Sequence, residues 1–452
     1  MINIKINPYY FEEKSYIINL LFIEFLGLEI EIVKENKEFN DYEIVLSNQK
    51  KLIIKDTFFA QFQNDVTYLN KESLPSNIKI FKDQNYLSEK DLPIIFGNPV
   101  IRSNDKTIFC EVDIFASCFF MLTRWEEYVN LDRDKYSRFP AEASIAYKFN
   151  FLDRPIVNEY LEFLWKLLIS LGLSEERKVK KYIPYITHDI DILLAYPNIF
   201  SLLKNVCADI LRRGQFLLAI KKLLLIFNKN KQNELDSLNL YDFIMKISEK
   251  NKLTSYFFFM SGGKNRNDHF YSYNKNFLNN LIQEIKNRGH IIGFHPSFDT
   301  YDNKVMWNSE IDLLTQTVNA EILYSRQHFL RFNVPETWEI AEANKIIGEF
   351  SLGYPETPGF RCGICYDYPV FNFLTKKVLQ LRAYPLIFME NSLLGNFITD
   401  PDKIYNIVEK YVKIVKQYHG NYVFLWHNHL LKNYLELYPK LISLIASKGV
   451  EK

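Results

Sequence analysis

Net charge is the first thing this chain lacks. Its 452 residues set 55 Lys and Arg against 54 Asp and Glu, leaving +1. That balance argues against a dedicated nucleic-acid binder, which carries a basic surplus, while leaving room for a local basic patch. Cysteine is scarce and odd in number: Cys110, Cys118, Cys207, Cys362 and Cys365. Such usage is no disulfide framework and fits a reducing compartment. Cys362 and Cys365 form a C-x2-C, but no second Cys or Cys/His pair stands near them to complete a structural zinc site. Two free thiols in the turn GFRCGIC are expected. Long apolar runs are missing too. No stretch reaches the ~18 apolar residues of a membrane-spanning helix. Tyr16 to Leu28 is broken by Glu24 and has no small-residue cleavage site, so it does not read as a leader. The expected location is cytoplasmic.

Apolar side chains are plentiful, at 48% hydrophobic and 16% aromatic, enough for large cores in two or three domains. Residues 1 to roughly 100 alternate short apolar runs with polar loops and read as a small α/β region. Asp113 to Tyr128 reads as an apolar helix, with Arg124, Glu126 and Glu127 on a wetter face. The charged loop of Arg133, Asp134 and Arg138 reads as a tie between segments. Pro155 to Leu173 is a second helix, and the polar run Ser174 to Lys181 reads as a linker. The boundary is therefore expected near residue 180, dividing an accessory region (1–180) from a second domain (181–452).

The second domain opens with YIPYITHDID, Tyr182 to Asp191. Its β-branched and aromatic run reads as a buried strand whose tip carries ionisable groups, although an ordinary acidic turn would look the same. Alternation along the strand puts Asp189 and Asp191 on one face and His188 on the other. The segment around 195–234 follows as a helical excursion. Between 202 and 231 it sets basic side chains beside a Leu/Ile/Phe stripe, which suits either a membrane-surface helix or a helix packed on its own domain. From Asp236 onward strands and helices alternate, which implies parallel pairing; with the opening strand the count is about seven. FLRF (Phe329–Phe332) is among the expected strands.

In such a fold the strand tips meet at one mouth. The tips here carry Asp189 and Asp191, then His295 and Asp299, then Arg331, and last His427. Carboxylate and imidazole donors with an open position suit Zn²⁺ or a similar divalent ion. A further carboxylate can take a proton from water and a histidine can protonate a leaving group, which is the equipment of metal-assisted hydrolysis. Arg361 either binds a substrate oxygen or anionic group or ties loops together. Glu390 either orients His427 or caps its strand. His290, His328 and His429 are read as lying outside the cluster, with a supporting place conceivable for His429.

Taken in order, THDID (Thr187–Asp191), HPSFD (His295–Asp299), FLRFNVP (Phe329–Pro335) and LWH (Leu425–His427) resemble the motifs of the polysaccharide deacetylases, the NodB-homology group. The first 180 residues look like the accessory region of divergent bacterial members. The resemblance implies a distorted seven-stranded (β/α) barrel that removes acetyl groups from N- or O-acetylated sugars. It makes Asp189 the general base, Asp191 and His295 metal ligands, Arg331 the residue that orients and tunes the base, and His427 the general acid. The family's adjacent Asp-Asp is Asp-Ile-Asp here, and Asp299, a competent though harder ligand, stands where the family has a second ligating histidine and is the third expected metal ligand. The altered motifs also admit a non-catalytic sugar-binding protein, and a glycoside hydrolase on a related barrel is the remaining alternative.

Overall fold

In the computed structural model, residues 1–35, 40–62, 67–195, 199–212, 214, 216–217, 219–220, 223, 236–268 and 275–447 are described. The N-terminal strands are β1 (Ile2–Ile6), β2 (Ile30–Lys34), β3 (Tyr42–Val45), β4 (Lys51–Ile54), β5 (Lys79–Phe81), β6 (Leu92–Ile94), β7 (Gly97–Ser103) and β8 (Thr107–Val112). Six of them form a mixed sheet in the order β2-β1-β3-β4-β8-β7, while β5 and β6 pair separately. Period-2 burial in β1 and β3 shows why these stretches are strands: alternate apolar side chains enter the core.

Helix Ile114–Thr123 is apolar all round and wholly buried, so it forms a core element instead of a surface helix. Asp113 caps it by accepting from Ala116 N at 3.0 Å. The three charges expected on a wetter face are buried instead, because they satisfy one another and a partner from the other half. Arg124 pairs with Glu127 at 2.9 Å and Glu126 at 3.2 Å, and Arg361 closes on Glu127 at 2.5 Å.

The C-terminal strands are β9 (Ile183–Ile190), β10 (Ser255–Phe259), β11 (Ile291–Phe294), β12 (Tyr324–Ser325), β13 (Gly348–Glu349), β14 (Tyr368–Asn372), β15 (Lys377–Ala383), β16 (Leu386–Met389) and β17 (Asn421–Leu425). They form one sheet in the order β14-β15-β13-β12-β11-β10-β9-β17-β16. Every pairing is parallel except the β14–β15 hairpin. The sheet is a curled half-barrel. Tyr185, Phe258, Phe350, Leu386, Val423 and Leu425 fill the inside of the curl as a core of their own. β9 lies between β10 and β17, so its C-terminal tip stands at the middle of the parallel edge.

A second, larger core runs without a break through both halves. Tyr16 OH donates to Pro369 O at 2.8 Å, and Val157 N donates to Gly363 O at 2.7 Å. All five cysteines are free thiols, and Cys362 and Cys365 are buried. Within the 195–234 excursion a helix is described over Ile199–Leu211; most of the stretch from 213 to 231, with Lys221, Lys222, Lys229 and Lys231, lies outside the described residues. Among the described residues no helix is long and apolar enough to cross a membrane.

Candidate metal and catalytic site

The last turns of β9 dictate the site. Asp189 is buried in the strand, and Asp191 follows just beyond its tip on the same face. His188, on the other face, is locked away: its Nδ1 meets Trp426 O at 2.8 Å and its Nε2 meets the Tyr438 hydroxyl at 3.1 Å. Burial pushes the His188 ring down to about 4, so it is neutral.

His295 leaves the tip of β11. Its Nδ1 lies 2.6 Å from Arg326 O and therefore carries the proton, since a carbonyl can only accept. The lone pair of Nε2 then faces Asp191 Oδ1 across 3.3 Å. His328 repeats the pattern. Its Nδ1 lies 3.0 Å from Asp268 Oδ1, and its Nε2 is 3.8 Å from Asp191 Oδ1. Two imidazole lone pairs and a carboxylate thus converge in a buried cluster within 4.8 Å. Among the described residues neither His295 Nε2 nor Asp191 Oδ1 has a hydrogen-bond partner. An arrangement of acceptors facing acceptors is relieved by a cation, and the outer carbonyl and carboxylate are the usual orienting partners of metal-binding imidazoles. The donor set fits a divalent transition metal with an open position.

Burial alone would push the Asp191 carboxyl up; the His427 charge is the largest influence against it, and the carboxyl lies well below its usual range. On one side of the cluster, Asp189 Oδ1 accepts from Arg326 Nη1 at 2.9 Å. On the other, His427 Nε2 lies 3.8 Å from Asp191 Oδ2, and His427 Nδ1 is 2.5 Å from Glu390 Oε1. Burial lowers His427, but the Glu390 and Asp191 charges override it and raise the ring to about 10.

Asp189, Asp191, His295, His427 and Glu390 are therefore brought together. Asp299 and Arg331 are not. The Asp299 side chain is 49% exposed and accepts from Asn265 Nδ2 at 2.9 Å and from Arg331 Nη1 at 3.4 Å. Arg331 lies between the rings of Phe298 and Tyr301 and donates to the carbonyls of Phe298 and Tyr136. Arg361 is wholly engaged: Nε and Nη2 meet Glu127 at 2.9 and 2.5 Å, and Nη1 meets Gly353 O at 2.8 Å. Of the two readings of this arginine, loop tying is what its contacts perform.

Three site residues escaped sequence reasoning: Arg326, His328 and Asp268. The expected strand FLRF is no strand. β12 ends at Ser325, and the chain turns at Phe329 and Leu330 with φ of +61° and +54°. The strand tip therefore falls five residues earlier, at Arg326. The signal was the pair Arg326 and His328 in RQH, two residues apart and so on one face of an extended chain.

A family model described as "Family of unknown function (DUF7033)" matches residues 2–172. No curated protein matches the chain. Among solved structures, the chain is similar to a Mycobacterium smegmatis protein assigned as a polysaccharide deacetylase, at 13% identity and a TM-score of 0.39, over 60% of this chain and 85% of that one. A CE4-family pseudoenzyme from Bacillus anthracis is similar at 11% identity and a TM-score of 0.30, over 59% of this chain and 60% of the other. A family 4 carbohydrate esterase from Streptomyces lividans, solved with acetate, is similar at 12% identity and a TM-score of 0.27, over 59% and 88%. With likeness this distant, the chemistry has to be read from the chain's own side chains.

Proposed function

We propose that the protein is a metal-dependent carbohydrate deacetylase acting on N- or O-acetylated sugars. One observation carries the reading: the buried Asp191, His295 and His328 cluster is flanked by Asp189 on one side and His427 on the other. Asp191, His295 and His328 would hold a divalent ion, with Zn²⁺ favoured by two imidazoles and one carboxylate. When bound, that ion would supply Lewis acidity.

The remaining steps belong to side chains. Asp189, held in place by the Arg326 guanidinium, takes the proton from the attacking water. His427 carries its Nδ1 proton toward Glu390 and so presents Nε2 to the mouth, where it protonates the departing amine or alkoxide. A buried, water-poor setting strengthens both charges at the moment of reaction. The fold reading that goes with this is a distorted (β/α)7 barrel of β9 to β13 with β16 and β17. The bond from Leu386 N to Leu352 O at 3.1 Å supports it by linking β16 to the chain after β13.

Elemental analysis of the purified protein and acetate release from a panel of N- and O-acetylated oligosaccharides test the proposal. The expected result is close to one equivalent of divalent metal and acetate release that Asp189→Asn abolishes. Release of free sugar without acetate, or full activity in Asp189→Asn, would sink it.

A further inference from the structure

Residues 1–180 have no chemistry of their own in the reading above, yet one loop of theirs reaches the mouth. Arg331 Nε donates to Tyr136 O at 2.8 Å, and Arg138 Nη1 donates to Phe329 O at 3.1 Å. Each half thus offers an arginine to a backbone carbonyl of the other. Arg138 is itself braced by Asp134 at 2.7 Å, with Glu356 on the opposite wall 3.9 Å away. The clamp sets the Tyr136 ring 5.0 Å from the Phe329 ring, edge to face, and Phe329 lies 4.8 Å from the ring of His328. One aromatic side chain from the first 180 residues is therefore a single ring removed from a metal-cluster imidazole.

Two further features mark this wall. Phe329 and Leu330 sit in the left-handed backbone region, which bulky side chains avoid and keep only where the surroundings enforce it. The enforcement here comes partly from Arg138 on Phe329 O. Tyr136 and Phe329 are also only half-buried, and the Tyr136 hydroxyl makes no hydrogen bond to any described residue. A half-exposed aromatic pair with a free hydroxyl is poor core material. It suits a ligand that offers an apolar face and hydroxyl groups together, which describes a pyranose ring.

We propose that Tyr136, supplied by the N-terminal region, and Phe329 form a sugar-stacking subsite beside the metal cluster. This rests on the carbohydrate reading of the site but not on turnover. The N-terminal region is then a structural part of substrate binding, and Tyr136 is a specificity-determining residue that leaves the chemistry alone.

The test uses the full chain and triacetylchitotriose as the probe, with binding followed by calorimetry in the Asp189→Asn background. Tyr136→Ala is expected to weaken binding by about tenfold, the scale of loss when an aromatic contact residue is truncated. Tyr136→Trp is expected to retain binding, and metal content is expected to stay unchanged in both. In the active background, Tyr136→Ala should raise KM and leave kcat near wild type, a split that a merely structural role would not give. Equal binding by Tyr136→Ala and the parent, or no binding by either, overturns the subsite. Absence of acetate release with Tyr136-dependent binding intact would overturn the deacetylase reading and leave the subsite standing.

Discussion

Arg326 Nη1 donates to the Asp189 carboxylate at 2.9 Å, and both side chains are out of water. The same nitrogen reaches the Thr187 hydroxyl at 2.8 Å, and Arg326 Nε holds Phe350 O at 3.1 Å, so the fork cannot swing. A lysine keeps the charge but loses that geometry. Arg326→Lys is therefore expected to cut acetate release by about tenfold to a hundredfold while the protein still folds. Arg331→Lys, whose parent does not touch Asp189, is expected to change kcat far less. Steady-state kinetics on the two variants separates them; equal losses would refute the assignment of Arg326.

Metal stoichiometry distinguishes His328 from Asp299. His328→Ala removes a donor from the cluster and is expected to strip bound metal on dialysis, whereas Asp299→Ala is expected to retain it. Asp268→Asn keeps shape but weakens the partner of His328 Nδ1. Its expected cost is about tenfold to a hundredfold in metal affinity. Competition with a chelator, read by elemental analysis, measures all three.

Among the described residues the Glu390 side chain bonds only to His427. The Nδ1 contact of 2.5 Å sets which nitrogen faces the mouth. Glu390→Gln can place a donor against that nitrogen and favour the other tautomer. The expected outcome is a fall in kcat of about a hundredfold with metal content unchanged. A variant that loses metal instead would make Glu390 a structural support.

Glu349 offers a pH test away from the metal cluster. Burial, offset only in part by the Ser351 bonds and the Arg326 and Arg361 charges, raises its carboxyl from 4.5 to about 7. Between those values the native state holds a proton that the unfolded chain has released, so stability falls as pH rises. The shift corresponds to about 3 kcal/mol lost by pH 8. Glu349→Gln removes this dependence. Urea unfolding at pH 5 and pH 8 should show the variant gaining on wild type only at the higher pH.

Much of this site was legible because it follows strand periodicity. Asp189, Asp191 and His188 on the opposite face obey alternation along β9, and His295 and His427 stand just past the ends of short apolar strands. What could not be read was the place where the chain stops being regular. β12 has two residues, and the turn behind it depends on Phe329 and Leu330 in a backbone conformation their side chains disfavour. Tertiary contacts impose that turn, so FLRF kept the pattern of a strand and lent Arg331 a position that belongs to Arg326. The burial of Arg124, Glu126 and Glu127 was hidden for a similar reason: their partner Arg361 lies more than two hundred residues away.

The Glu127–Arg361 contact has a consequence for how such a chain can be inherited. Sever the chain near residue 180 and Glu127 would keep Arg124, but the buried Arg361 guanidinium would be left without its carboxylate. Leaving one member of a buried pair uncompensated costs about 3–5 kcal/mol. A recombination event that moved the second half without the first would carry that cost with it.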